Sequence, residues 1–224
     1  MKVSYVQNSP SFNACCPEIR LGQNVYNAVN KTFPHYSLSK FNPFFPKYLS
    51  KVSDPAAIIS LQTKLFCHRP NRPDNYVKYF MELFNYIDKY HAFNCHESSL
   101  LTALTLKLNG IKNVYTAALR NGTAKVDHVI CFFNRDGSEY EDTIKNNQTI
   151  IVDTWANKCD FANNIFKEYQ GVWAEYIKPD EIYMDGANGK FSFRDVDKIV
   201  LPYEAQNLRV IREIYPTLNI SKNG

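Results

Sequence analysis

The chain has 224 residues, 45% hydrophobic and 14% aromatic with only 21% charged, a composition that buries one sizeable core or two small ones and excludes a disordered tail, a coiled coil and a mini-protein. Lys and Arg total 26 against 22 Asp and Glu, a net charge of +4 with no long basic run, so the electrostatic footprint of a nucleic-acid binder is missing. No stretch approaches the roughly 18 consecutive apolar residues of a membrane span, and Met1 to Asn8 has no apolar run of signal-peptide length, so the sequence reads as soluble, without a membrane span or a Sec-type export signal.

Residues 1–72 are rich in Asn, Ser, Pro and Phe. Eight of the eleven prolines fall at or before Pro73, a density that predicts short helices and irregular chain packed by Phe41, Phe44, Phe45 and Tyr48. Asp54 followed by Pro55 predicts one short helix to Phe66. This region is expected to be a Pro- and aromatic-rich subdomain, with a catalytic unit over 73–224 forming a single compact body with it.

From Asp74 the pattern becomes helical. Val77, Phe80, Met81, Phe84 and Ile87 share one face up to about Tyr90. A second helix is predicted from Asn94 to the Asn109-Gly110 stop; its dense Leu100, Leu101, Leu104, Leu106 and Leu108 mark it as a central core helix. The period then changes to two. Val114–Leu119 and Val126–Phe133 read as a hairpin around Asn121-Gly122, and Thr149–Trp155 as a third strand beyond the Asp136-Gly137 turn. A helix over Phe161–Tyr169, a weak strand near Phe191–Val200 and an amphipathic helix near Tyr203–Tyr215, with Leu208, Ile211 and Ile214 on one face, complete the chain.

Six cysteines, Cys15, Cys16, Cys67, Cys95, Cys131 and Cys159, are too sparse for a disulfide scaffold and show no Cys-x-x-Cys pair, so they read as reduced thiols. Cys95 stands apart. Asn94 is a preferred N-cap and Glu97 completes a capping box, which sets Cys95 at the first helical position, where the helix dipole favours a thiolate. Glu97 partly offsets that field unless it is turned away. A nucleophilic thiol needs a base, and His128 alternates with Ile130 and Phe132 on one face of its strand, opposite Asp127, Val129 and Cys131. Asp153 ends the apolar run Ile150-Ile151-Val152 and is placed to hold the second imidazole nitrogen, with Asn157 as the alternative. Trp155 beside it would shield the His–Asp pair from water, and His96 is a neighbour of the nucleophile.

A cysteine opening a core helix, a histidine on a following strand and an aspartate at the end of the next, here Val152-Asp153-Thr154-Trp155, resemble the transglutaminase-like branch of the papain-like cysteine-enzyme superfamily, and most of all its bacterial effector and toxin domains. The resemblance covers about residues 74–160. It implies an α+β fold with the central helix packed on an antiparallel sheet, Cys95 as nucleophile, His128 as general base and acid, Asp153 as orienting carboxylate, and no cofactor. It further implies a protein substrate, a host protein among the candidates; the missing export signal fits a cytoplasmic location or delivery into a host cell by a specialised secretion system. Protease, glutamine deamidase and transglutaminase activities all fit. The acetyltransferases of the branch fit less well, because Ala92-Phe93-Asn94 lacks their Arg-Gly-Gly. No glutamine precedes Cys95 within Tyr86–Asn94, so an oxyanion must be held by the Cys95 backbone N–H and a further donor. Two readings of other classes stay open: a non-catalytic interaction module on the same fold, and a zinc protein using Cys67, His68, His91, Cys95 and His96.

Overall fold

The computed structural model describes residues 16–33, 36–37, 80–85, 87, 92–121, 124–145, 147–176, 191–201 and 205–220. The first helix, α1, runs over Pro17–Thr32, with Pro17 supplying the fixed φ that suits a first helical position. Ile19, Gly22, Val25 and Val29 recur at steps of three and four and are all buried. This helix is longer than the short pieces expected before residue 72, because the segment between Pro17 and Pro34 holds no proline and gives helical periodicity more than four turns to act. The helix expected over Asp54–Phe66 lies outside the described residues, as do Asp74 and Tyr90; between those two, residues 80–85 are helical and bury Phe80, Leu83 and Phe84.

Helix α2, Cys95–Leu108, is buried on nearly every side: only His96 and Lys107 keep partial exposure. Each leucine of its core face contributes about 2 kcal/mol by leaving water. Asn109 closes it by donating its backbone N–H to the last-turn carbonyls, and Gly110 then takes φ +94, a conformation that glycine reaches at no steric cost.

The architecture is mixed α and β. Strands β3 (Tyr115–Asn121), β4 (Ala124–Asn134), β5 (Thr149–Asp153), β6 (Lys158–Phe161) and β7 (Phe191–Lys198) form one antiparallel sheet in the order β6-β5-β4-β3-β7. A separate two-residue parallel pair joins β1 (Tyr36–Ser37) to β2 (Ala92–Phe93), directly before α2. Both faces of the large sheet are covered. Cys131, Phe133, Ile150 and Val152 pack with α1 and α2, while Ile130, Phe132 and Ile151 pack with Ala162, Ile165 and Tyr169 of α3 (Ala162–Tyr176). This explains why β5 is apolar at consecutive positions rather than alternating.

Further elements differ from the sequence expectation. The strand expected over Thr149–Trp155 stops at Asp153, because residues 154–157 turn and Asn157 takes φ +54. The chain then returns as β6, a strand the sequence pattern hid. The C-terminal helix α4, Ala205–Ile214, buries Ile211, whereas Ile214, expected on the same face, is half exposed. No helix among the described residues is long and apolar enough to cross a membrane.

Candidate functional site

The start of α2 is a complete capping box. Asn94 Oδ1 accepts from the helix backbone, and the Asn94 N–H donates to Glu97 Oε2 at 3.0 Å. Glu97 is therefore turned back onto the cap and almost fully buried, and its charge meets an orphan N–H. Cys95 N–H donates to Asn94 Oδ1 at 2.9 Å. The amide expected to be the first oxyanion donor is thus already bonded to a side chain.

His128 and Asp153 meet where the β4–β5 ladder ends. The last paired residues are Cys131 and Val152; beyond them both side chains reach Tyr169 of α3, Asp153 through its carboxylate and His128 through its ring. His128 Nε2 and Asp153 Oδ2 are 2.5 Å apart, and both residues are 2% exposed or less. The carboxylate assigns the proton to Nε2. Cys95 packs against Trp155, which covers the ring, and its thiol is among the groups that favour the charged imidazole. Burial alone would pull the imidazole down. The charge and hydrogen bond of Asp153, helped by Cys95, overcome it and raise His128 from 6.5 to about 10.

Asp153 is held from three directions. Its Oδ1 accepts the Ala156 N–H at 3.0 Å, and its Oδ2 accepts both His128 Nε2–H and the Tyr169 hydroxyl. Trp155 lies over the imidazole, with ring centroids 4.9 Å apart and planes at 46°, and packs with Cys95, Ala156 and Val129. It is itself almost fully buried and covers one face of the buried imidazole. Its indole N–H has no acceptor among the described residues.

The turn that carries Trp155 is tied down on both sides. Thr102 Oγ1 of α2 and Thr154 Oγ1 are 2.5 Å apart, and Asn30 Nδ2 of α1 donates to Thr154 O at 3.4 Å and to Asn157 Oδ1 at 2.6 Å. Asn157 is exposed and bonded to Asn30 rather than to the imidazole, so it is not the residue that orients His128. Gly22 lets α1 lie against this region: a Cβ there would stand 2.3 Å from Cys159 Sγ and 2.9 Å from Val152 Cγ2.

The structure therefore brings Cys95, His128, Asp153 and Trp155 together, with Asn94 as the cap and half-buried His96 one residue along α2. Among the described residues, Cys16, Cys95, Cys131 and Cys159 are free thiols. Cys159 packs on helix α1, its thiol 3.4 Å from Ile19 O. Burial first, with neighbouring anionic groups, pushes the Cys131 and Cys159 thiols well up. Cys16 donates to Glu18 Oε2 at 2.9 Å. Of the alternative zinc set, Cys67, His68 and His91 lie outside the described residues; among the described residues no three His, Cys, Asp or Glu side chains are grouped to hold a metal ion.

Sequence reasoning missed Tyr169, Asn30 and Thr102. Only the helical spacing of Ala162, Ile165 and Tyr169 could have placed the tyrosine against the sheet, and nothing local marks its hydroxyl as a partner of Asp153. Comparison with protein-family models, with curated proteins and with solved structures found no match for this chain.

Proposed function

We propose that this protein is a thiol-dependent acyl-transfer enzyme of the papain-like or transglutaminase-like kind, acting on a side-chain or peptide amide of a protein substrate. The observation that carries the reading is the buried imidazole of His128, held by Asp153 on Nε2, with the Cys95 thiol at the start of a capped helix among the groups that favour its charged form. An imidazolium stabilised to about 10 beside a thiol favours transfer of the thiol proton to the ring near neutral pH.

The steps follow. The Cys95 thiolate attacks the amide carbonyl carbon and forms a C–S bond. The electron pair moves to oxygen and returns as the C–N bond breaks, while His128 gives its proton to the leaving amine or ammonia. His128 then takes a proton from the incoming nucleophile, which attacks the thioester and restores the thiol. Water as that nucleophile gives hydrolysis or deamidation; a lysine amine gives a crosslink. Asp153 fixes the tautomer throughout, and Trp155 keeps water from the His–Asp pair. The effector-like resemblance points to a host protein as substrate.

The reading is tested by mass spectrometry of host-cell lysate proteins treated with the wild-type chain or with Cys95→Ala. A +1 Da change, a cleavage or a crosslink that depends on Cys95 supports it. Identical lysates put the non-catalytic interaction module ahead.

A further inference from the structure

Tyr169 is fully buried, and its hydroxyl donates to the same carboxylate oxygen, Asp153 Oδ2, that His128 uses. It comes from a different element, α3, which the apolar positions Ala162 and Ile165 seat against the sheet at the spacing that aims Tyr169 to the same side. Its ring also stands edge-on to the imidazole, with centroids 6.0 Å apart and planes at 70°. One side chain thus touches both members of the His–Asp pair. We propose that Tyr169 is a positioning residue of this site, whose hydroxyl holds the Asp153 carboxylate against His128 and sets how strongly that carboxylate attracts the imidazolium proton.

The physical reason is competition for one oxygen. A phenol that donates to a carboxylate withdraws charge from it, so Asp153 becomes a weaker partner for the imidazolium, while the second bond narrows the orientations it can take. Among the described residues, the charged groups that act on His128 are Asp153 from β5 and Cys95 from α2; those that act on Tyr169 are Asp153 and Glu168, the latter on its own helix. Burial, Asp153 and Glu168 hold the Tyr169 hydroxyl well above its usual range, so it stays protonated and remains a donor throughout the working pH range. The bland alternative is a core tyrosine that merely finds an acceptor for its O–H. That role would leave the His128 titration where it is.

This inference rests on the reading of Cys95 as an activated nucleophile, and the experiment separates the two. The carbon-13 NMR titration of labelled histidine in the full-length protein, with the His128 signal assigned by its loss in His128→Gln, gives the midpoint directly. Tyr169→Phe should raise that midpoint by roughly half a unit, as expected when one charge-assisted hydrogen bond to the carboxylate is removed. Tyr169→3-fluorotyrosine keeps the packing but donates more strongly, and should lower it. A midpoint unmoved in both variants, with wild-type Cys95 still alkylated in a His128-dependent way, overturns the role of Tyr169 and leaves the thiol reading standing. Wild-type Cys95 that shows no His128-dependent reactivity removes both.

Discussion

Replacing Asp153 by asparagine keeps the shape of the side chain and removes the charge that opposes the burial of His128. In the wild-type site that imidazole is raised from 6.5 to about 10, which favours the imidazolium by an amount on the order of 5 kcal/mol. Burial is the largest single influence on the group and acts downward. Without Asp153 it prevails, so His128 in Asp153→Asn should titrate below 6.5 and be neutral at pH 7. On the proposed mechanism the ring no longer draws the thiol proton, and turnover should fall by about 10³- to 10⁴-fold. Folding stability carries the same signature with opposite signs, read most cleanly in Cys95→Ala so that the thiol adds no protons of its own. With Asp153 present, the folded imidazole lies above its unfolded value; its stabilisation is full below pH 6.5 and lost as pH rises toward the folded value. In Asp153→Asn the folded value lies below 6.5, so stability is instead lost as pH falls through that region. Urea midpoints from pH 5 to pH 10, measured on the Cys95→Ala background with and without Asp153→Asn, report this. Parallel pH dependences, or a His128 that still titrates near 10 once the carboxylate is gone, would refute the reasoning.

Three further perturbations test the scaffold. Gly22→Ala places a Cβ against Cys159 Sγ and Val152 Cγ2 and should cost about 1 to 3 kcal/mol in urea unfolding, with Cys159→Ala recovering part of the loss. Asn94→Ala removes the side-chain half of the cap that starts α2 and should cost about 1 kcal/mol, seen as a fall of about 2 to 4 °C in Tm. Thr102→Val breaks the tie between α2 and the Trp155 turn, leaving Thr154 Oγ1 buried without that partner, and should cost about 1 to 3 kcal/mol in the same assay.

The sequence was most readable where local chemistry and burial agree. Asn94, Glu97 and Gly110 mark both ends of α2, and the leucines between them state that it is buried; the change to a two-residue period after Gly110 marks β3 and β4. The proximity of Cys95, His128 and Asp153 could be anticipated because helix, hairpin and strand leave few ways to order them. Legibility failed where a feature depends on distant partners. The β6 run Lys158-Cys159-Asp160-Phe161 is short and half buried, and becomes a strand only because β5 pairs with it. In α1, the flanking prolines drew attention from an apolar stripe that was present all along. Tyr169 reads locally as one more core aromatic, and its meaning lies 16 residues away in Asp153.

The central claim is that Cys95 is an activated nucleophile, and competitive alkylation tests it most directly. Wild-type protein is treated with limiting iodoacetamide at pH 7 and each cysteine is quantified by peptide mass spectrometry. Cys131 and Cys159, buried with thiols held protonated, set the slow baseline, and partly exposed Cys16 is the demanding comparison. Cys95 should react roughly tenfold faster than Cys16, the advantage of a thiolate over an ordinary thiol after allowance for its lower intrinsic nucleophilicity, and His128→Ala should abolish the difference. Equal rates at Cys95 and Cys16, or a Cys95 rate indifferent to His128, would contradict the account.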